Sequence, residues 1–402
     1  MLSREEKLVN VLERRQVRET RACRRSRVAS ICKGVMVGLP LLVLLVFGVV
    51  HVLELITERS LFPRDLGTYQ ALLRDWGTPG HVGEGFASYA TDVTRDILPI
   101  PCHSHNDYWR RIPLFDALRS GCTGVEADVW LFGEELFVGH NLAALTSNRT
   151  FKNLYVNPLV SLLDNMNPRS SFGEATGHGV FDVDPQQTLV LLVDFKKDGH
   201  ETFPVVSQQL EALREKGYLT FWDGAKVHSR AVTLVATGNT PFDMVVSNGT
   251  YRDIFYDAPL AWEMPKGSIE ALELGTSDKA SLPLDSKTAS GQGNVGTGII
   301  SSPNAFNSNN SYYASMSFRH AVGLMWRGHL SHRQMEIIRG QIRGAKRRGL
   351  KARYWDTPSW PISLRNRVWR ILMDEGADVL NVDDLRAAAK QDWTRIRHDW
   401  WR

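Results

Sequence analysis

From Ile97 onward, short apolar runs alternate with amphipathic ones, and that alternation constrains the fold more than any other feature of the chain. The strand-like runs are residues 97–103, 123–130, 135–140, 188–196, 231–237, 254–257, 313–318, 351–355 and 377–382. Between them, residues 114–119, 154–165, 203–216, 332–348 and 364–374 carry helical periodicity. Parallel strands require long crossover connections, and helices supply them. Roughly eight such repeats predict a (β/α)8 TIM barrel over residues 97–390. No glycine-rich phosphate or dinucleotide loop follows the first strand, which argues against an open doubly wound sheet. Residues 265–312, rich in Ser, Gly, Asn and Thr, break the rhythm and read as a flexible insertion, and residues 391–402 as a C-terminal tail.

Ahead of the barrel, residues 34–53 carry no Lys, Arg, Asp or Glu across twenty positions. At 1.5 Å per residue that run spans a bilayer core of about 30 Å, so a single transmembrane helix is expected. A cleaved signal peptide is the alternative, but the region before the run is long and no small-residue cleavage site follows it. Residues 1–33 hold ten Lys or Arg against four Asp or Glu, and the twenty positions after the span hold only Arg59 and Arg64 as basic residues. Positive charge stays inside, which predicts a cytoplasmic N-terminal tail, a stem over 54–96 and a barrel on the lumenal or extracellular side. Sequons at Asn148, Asn248 and Asn309 agree with that side as expected glycosylation sites. With a net charge of +4 concentrated in the tail, the remainder is slightly acidic, so nucleic acid is excluded as a partner. Only Cys102 and Cys122 lie in the globular part, where one bridge between them stays open but no disulfide framework does.

The chemistry concentrates in HSHNDYW at 103–109, VEADVW at 125–130 and the strand-like run ending on His140. Side chains two apart on a strand share a face, so Glu126 and Asp128 point the same way. Adjacent carboxylates repel unless a cation lies between them, and hard oxygen ligands suit Mg2+ or Ca2+. Asp194 and Lys196, in LLVDFKKDG, repeat the device on a later strand. Active sites of such barrels lie at the C-terminal ends of the strands, a rule that gathers His103, His105, Asn106, Glu126, Asp128, His140, Asp194, Lys196, Trp355 and Asp356 at one mouth. Two histidines beside a divalent ion suit attack on a phosphodiester, one taking a proton and the other giving one.

These motifs resemble a known group. SHNDYW, VEADVW and the following GH are similar to the catalytic region of the phospholipase C-like phosphodiesterase superfamily. VDFKK resembles a segment of its sphingomyelinase D branch, and RYWDTP with GADVLNVDDL resembles the closing strands of glycerophosphodiester phosphodiesterases. Taken together, residues 97 to about 385 resemble the fungal "altered inheritance of mitochondria" family of predicted phosphodiesterases. The resemblance implies His105 and His140 as catalytic histidines, and Asn106, Glu126, Asp128 and Asp194 as metal ligands. It further implies Lys196 as a phosphate-facing group and Trp355 as an aromatic at the substrate mouth. The H-R-G and P-E-N-T motifs of glycerophosphodiesterases are absent, and His103 competes with His105 for the first catalytic role, His105 being preferred because Asn106 follows it. The implied reaction is attack by a hydroxyl neighbouring the phosphate, giving a cyclic phosphate that water then opens.

Two rival readings stand beside this one. H-x-H after a first strand is also how metal-dependent amidohydrolases hold zinc, although His200, His228 and His329 are poorly placed to complete such a site. A membrane-tethered barrel that binds a head group or protein partner without turnover is the non-enzymatic alternative. Against the latter, a purely structural mouth has no need to gather repelling carboxylates.

Overall fold

The computed structural model describes residues 36, 38–53, 93–168, 177–260, 305–323, 325 and 328–394. The tail at 1–33, most of the stem at 54–96, most of the insertion at 265–312 and the last residues of the C-terminal tail lie outside the described residues. The chain divides into Met1–Ser88 and Tyr89–Arg402. In the first unit residues 38–53 are helical with every side chain exposed. Among the described residues no helix is long and apolar enough to cross a membrane.

The second unit is a closed parallel barrel. Its strands are β1 (Ile100–Ser104), β2 (Cys122–Phe132), β4 (Leu189–Phe195), β7 (Val232–Gly238), β8 (Ile254–Pro259), β9 (Ser311–Ser317), β10 (Lys351–Trp355) and β11 (Val379–Val382). They run in the order β1-β11-β10-β9-β8-β7-β4-β2, and a β1–β2 pairing closes the ring. A short strand β3 (Glu135–Val138) adds antiparallel to β2, while β5 (Phe221–Trp222) and β6 (Val227–His228) form a separate ribbon. The TIM barrel expected from the alternation is therefore present.

Strands covered on both faces must be apolar throughout, and β4 (LVLLVDF) and β7 (VTLVATG) are buried along their whole lengths. Outward residues such as Val125, Ala127 and Val129 join Leu159 and Leu163 of the helix Asn157–Met166 in the main core. Inward residues Val190, Leu192, Val235, Tyr313 and Val379 form a second, smaller cluster inside the ring. Elsewhere the interior is polar, with His103, Glu126, Asp257, Arg353 and Asn381 all buried.

Helices differ from the sequence expectation in where they begin. The helix expected at 203–216 starts at Gly199, because Asp198 caps it by accepting from the Glu201 N–H at 3.0 Å, and it divides into Gly199–Gln209 and Glu211–Glu215. The helix His332–Arg347 opens on a capping box in which the Gln334 N–H donates to Ser331 and the Ser331 N–H donates to Gln334. A disulfide between Cys102 and Cys122 ties β1 to β2 at the seam, where the pairing register shifts between Ile100 and His103.

Candidate active site

Glu126 and Asp128 project from β2, and Asp194 from β4, its register partner beside Asp128. One ligand oxygen from each of these buried carboxylates lies within 4.8 Å of the other two. Glu126 Oε2 accepts from the Asn106 N–H at 3.3 Å, and Asp128 Oδ2 accepts from Tyr108 at 2.7 Å and faces Lys196 Nζ at 3.0 Å. Glu126 Oε1 and Asp128 Oδ1, by contrast, are buried with no hydrogen-bond partner. Lys196 also donates to Asp194 Oδ2 at 2.8 Å.

Three acids, with Lys196 at two of them and Arg353 3.6 Å from Glu126, leave an excess of negative charge in a dry place. Burial, then the neighbouring Asp194, push the Asp128 carboxyl above its ordinary value despite the pull of Lys196. Lys196 itself is held above its ordinary value, since Asp194 and Asp128 outweigh the cost of its burial. Three buried carboxylates with ligand oxygens this close form a donor set that fits a hard divalent cation.

Two glycines make the arrangement sterically feasible. A Cβ at Gly124 would meet His103 Nδ1 at 2.3 Å, and one at Gly238, whose φ is +69°, would meet Asp194 Oδ1 at 2.1 Å.

His105 ends the first strand segment. Its Nδ1 bonds Asp383 Oδ1 at 2.8 Å, which leaves Nε2 4.0 Å from Glu126 Oε2. Burial opposes protonation of this ring, but Glu126 and the bond to Asp383 outweigh it and raise its pKa. Asp383 is correspondingly held below the usual carboxylate range, its own desolvation being outweighed by the His105 bond and by Arg110. Arg110 fixes this corner further by donating to the carbonyls of His105 and Val382 at 3.1 and 3.2 Å.

His103 behaves differently. It is fully buried, 3.9 Å from Glu126 Oε2, and neither ring nitrogen has a hydrogen-bond partner. Burial, then the charges of Arg353 and His105, hold its pKa well below the ordinary value, so it is neutral. Its ring packs edge-on against Tyr313 in the barrel interior.

The β2–β3 hairpin delivers His140. With Val129 opposite Val138, the returning strand brings the Gly139 N–H to the Asp128 carbonyl at 3.1 Å, and His140 Nδ1 lies 3.7 Å from Asp128 Oδ2. His140 is half exposed, and Trp109 packs against its ring at 5.0 Å.

Asn106 sits in the left-handed region, φ 48° and ψ 46°, and so turns its backbone N–H toward Glu126 while its side chain meets Tyr108. The structure thus brings His103, His105, Asn106, Glu126, Asp128, His140, Asp194 and Lys196 together. Trp355 lies at the end of β10 with its indole N–H buried and unpartnered; no contact among the described residues joins it to the carboxylates. Asp356 is left-handed at φ 55° and accepts from Ser317 at 3.0 Å. His228 bonds Asp223 on the separate ribbon, and His200 faces Asp243, so neither joins the H-x-H pair. Asn148, Asn248 and Asn309 are all exposed. A cavity of about 690 Å3 bounded by Asp164, Lys216, Tyr218 and Arg230 lies apart from the cluster and shares no residue with it.

Sequence reasoning missed four contributors. Tyr108 stands in the SHNDYW motif, yet its hydroxyl proves to lie among Asn106, Asp128 and His140. Asp383 follows the last strand by one residue, a position that the strand-end rule would have flagged. Arg353 and Asp257 face each other at 3.5 Å within the barrel, and Arg353 also approaches Glu126 at 3.6 Å.

A family model described as "AIM6-like phosphodiesterase domain" matches residues 91–257. The chain is 40% identical over 311 residues to "Altered inheritance of mitochondria protein 6 homolog" of Arthroderma benhamiae, covering 75% of this chain and 86% of that protein. It is 32% identical over 338 residues to "Altered inheritance of mitochondria protein 6" of Eremothecium gossypii, covering 82% and 79%. The Saccharomyces cerevisiae protein of the same name is 32% identical over 317 residues, covering 74% and 72%. No solved structure matches the chain.

Proposed function

The chain belongs to the altered inheritance of mitochondria protein 6 family, and from that premise we propose that it is a membrane-anchored, metal-dependent phosphoric diester hydrolase acting on a lipid or lipid-derived phosphodiester. The observation that carries the reading is the trio Glu126, Asp128 and Asp194, with two unpartnered carboxylate oxygens, flanked by His105 on one side and His140 on the other. A bound Mg2+ or Ca2+ would neutralise charge on the phosphoryl oxygens.

The protein's own groups do the rest. Asp383 orients His105 through Nδ1, so that Nε2 takes the proton of a hydroxyl neighbouring the phosphate as its oxygen bonds phosphorus. As the bond from phosphorus to the leaving oxygen breaks, His140 gives that oxygen a proton. The product is a cyclic phosphate, which water opens with the two histidines exchanging roles. Lys196 adds positive charge beside the phosphoryl oxygens, Asn106 completes the ligand set and Trp355 walls the substrate mouth. His103, neutral and enclosed, packs behind the ligand set.

The uncharged run at 34–53 supports the anchor, and a disulfide together with exposed sequon asparagines supports a lumenal or extracellular barrel with sugars at Asn148, Asn248 and Asn309. Carboxylate ligands favour a hard ion over zinc, which sets the amidohydrolase reading aside.

The test is to screen the purified full-length chain against glycerophosphodiesters, phosphoinositides and sphingomyelin with each divalent ion. Turnover that disappears with chelator and in His105→Asn and His140→Asn, while His103→Asn keeps it, is the expected result. Silence across the panel in a folded preparation would replace the enzyme with a head-group-binding barrel.

A further inference from the structure

One oxygen stands at the junction of the metal centre and the second histidine. The Tyr108 hydroxyl is 2.5 Å from Asn106 Oδ1, 2.7 Å from Asp128 Oδ2 and 3.3 Å from His140 Nδ1. His140 Nδ1 and Asp128 Oδ2 are themselves 3.7 Å apart, too far for a direct hydrogen bond, so the hydroxyl is the atom that links them. Resting on the reading above, we propose that Tyr108 is a positioning residue that fixes the orientation and tautomer of His140.

The argument is a count of protons. A tyrosine hydroxyl has one proton to give and lone pairs to receive with. Asn106 Oδ1, the nearest of the three at 2.5 Å, can only accept, so the Tyr108 proton goes to it whichever form Asp128 takes. A lone pair then remains for His140, and only a protonated Nδ1 can use it. Nδ1 thereby keeps its proton in the neutral ring and in the imidazolium alike, which leaves Nε2 as the nitrogen that gives a proton to the leaving oxygen and takes one back from water.

The surroundings keep the hydroxyl in place. Tyr108 is buried on the 3-10 turn Asp107–Trp109, and Arg149 donates to its backbone carbonyl. Trp109, the next residue, closes the other side of the His140 ring.

Tyr108→Phe keeps the buried ring and removes only this oxygen. The measurement is the 15N chemical shifts of the His140 ring in the full-length chain, assigned by their loss in His140→Asn. At alkaline pH, where the ring is neutral, the native protein should show a protonated Nδ1 and an unprotonated Nε2, and Tyr108→Phe values averaged between the two tautomers. Native His140 with its proton on Nε2, or shifts unmoved by the substitution, would overturn the assignment, and the first of these needs no variant to fold. On a hydrolysed substrate, kcat should fall about tenfold or more with KM within twofold. Should the native protein hydrolyse nothing, the enzymatic reading fails while the nitrogen shifts still decide the Tyr108–His140 link.

Discussion

Two groups of buried acids share the inside of this barrel. Glu126, Asp128 and Asp194 sit on β2 and β4 with Lys196, and Asp257 sits on β8 with Arg353, Thr237 and Asn381. Each group leaves a carboxylate oxygen unpartnered, so orphan atoms alone do not tell them apart. Charge does. Arg353, fully buried, gives Asp257 a guanidinium at 3.5 Å and reaches one member of the trio, Glu126, at 3.6 Å, whereas Asp128 and Asp194 share a single lysine at 3.0 and 2.8 Å, so the trio keeps more acid than cation. A buried acid beside its own cation is an ordinary structural solution; a buried excess of acids is stable only with help from outside. The difference marks the trio as the candidate cation site.

The strongest way to break that distinction is to remove one acid from the trio. Asp128→Asn or Asp194→Asn should lower phosphodiester turnover on the order of 10³-fold. Metal-free, each variant should melt higher than the native chain, because one repelling charge is gone. Mg2+ or Ca2+ at 100 times its Kd should stabilise the native chain by about 2.7 kcal/mol and leave either variant's melting midpoint unmoved. A variant that keeps the cation-induced rise would show that the trio is not where the ion binds.

Next in size is the guanidinium. Arg353→Met strips the compensated group of its cation and leaves Asp257 and Glu126 facing each other's charge without relief. Loss of one partner from a buried pair costs about 3–5 kcal/mol. Adding Asp257→Asn should restore part of that loss, read as a recovery of the denaturation midpoint in the double variant. If the single variant melts like the native chain, Arg353 is not what balances the second group, and the contrast between the two groups dissolves.

The sequence exposes the first group better than the second for a physical reason. Strand parity is local: E-x-D in β2 and D-x-K running one residue past the end of β4 announce shared faces within three residues, and the barrel rule then brings the strand ends together. The eight barrel strands were legible for the same reason, since runs buried on both faces need no distant partner to be recognised. His140 was legible as a strand-end residue, but its 3.7 Å approach to Asp128 depends on the hairpin register. The partners that set proton positions were not legible. Asp383 meets His105 across 278 residues, and Arg353 sits mid-strand in KARYW, where nothing local distinguishes an inward arginine from an outward one. Tyr108 was in plain view, but its hydroxyl reaches Asn106 only because Asn106 takes a left-handed turn.

The smallest effect sharpens the comparison through pH. Burial raises the Asp257 carboxyl to about 6 against the pull of Arg353, while in the unfolded chain it titrates near the ordinary 3.8. Between those values the folded barrel binds the proton and the unfolded chain has released it. Stability from this group is therefore full below about pH 4 and is lost as pH rises through about 6. Asp107, likewise raised to about 6 by burial, contributes a loss of the same sign, so the measurement must be a difference. Metal-free Asp257→Asn should show a shallower fall in melting midpoint than the native chain from pH 4 to 6.5, by a few degrees at most. An unchanged slope would mean that Arg353 keeps Asp257 ionised throughout, making it a complete internal ion pair and widening the contrast with the uncompensated trio.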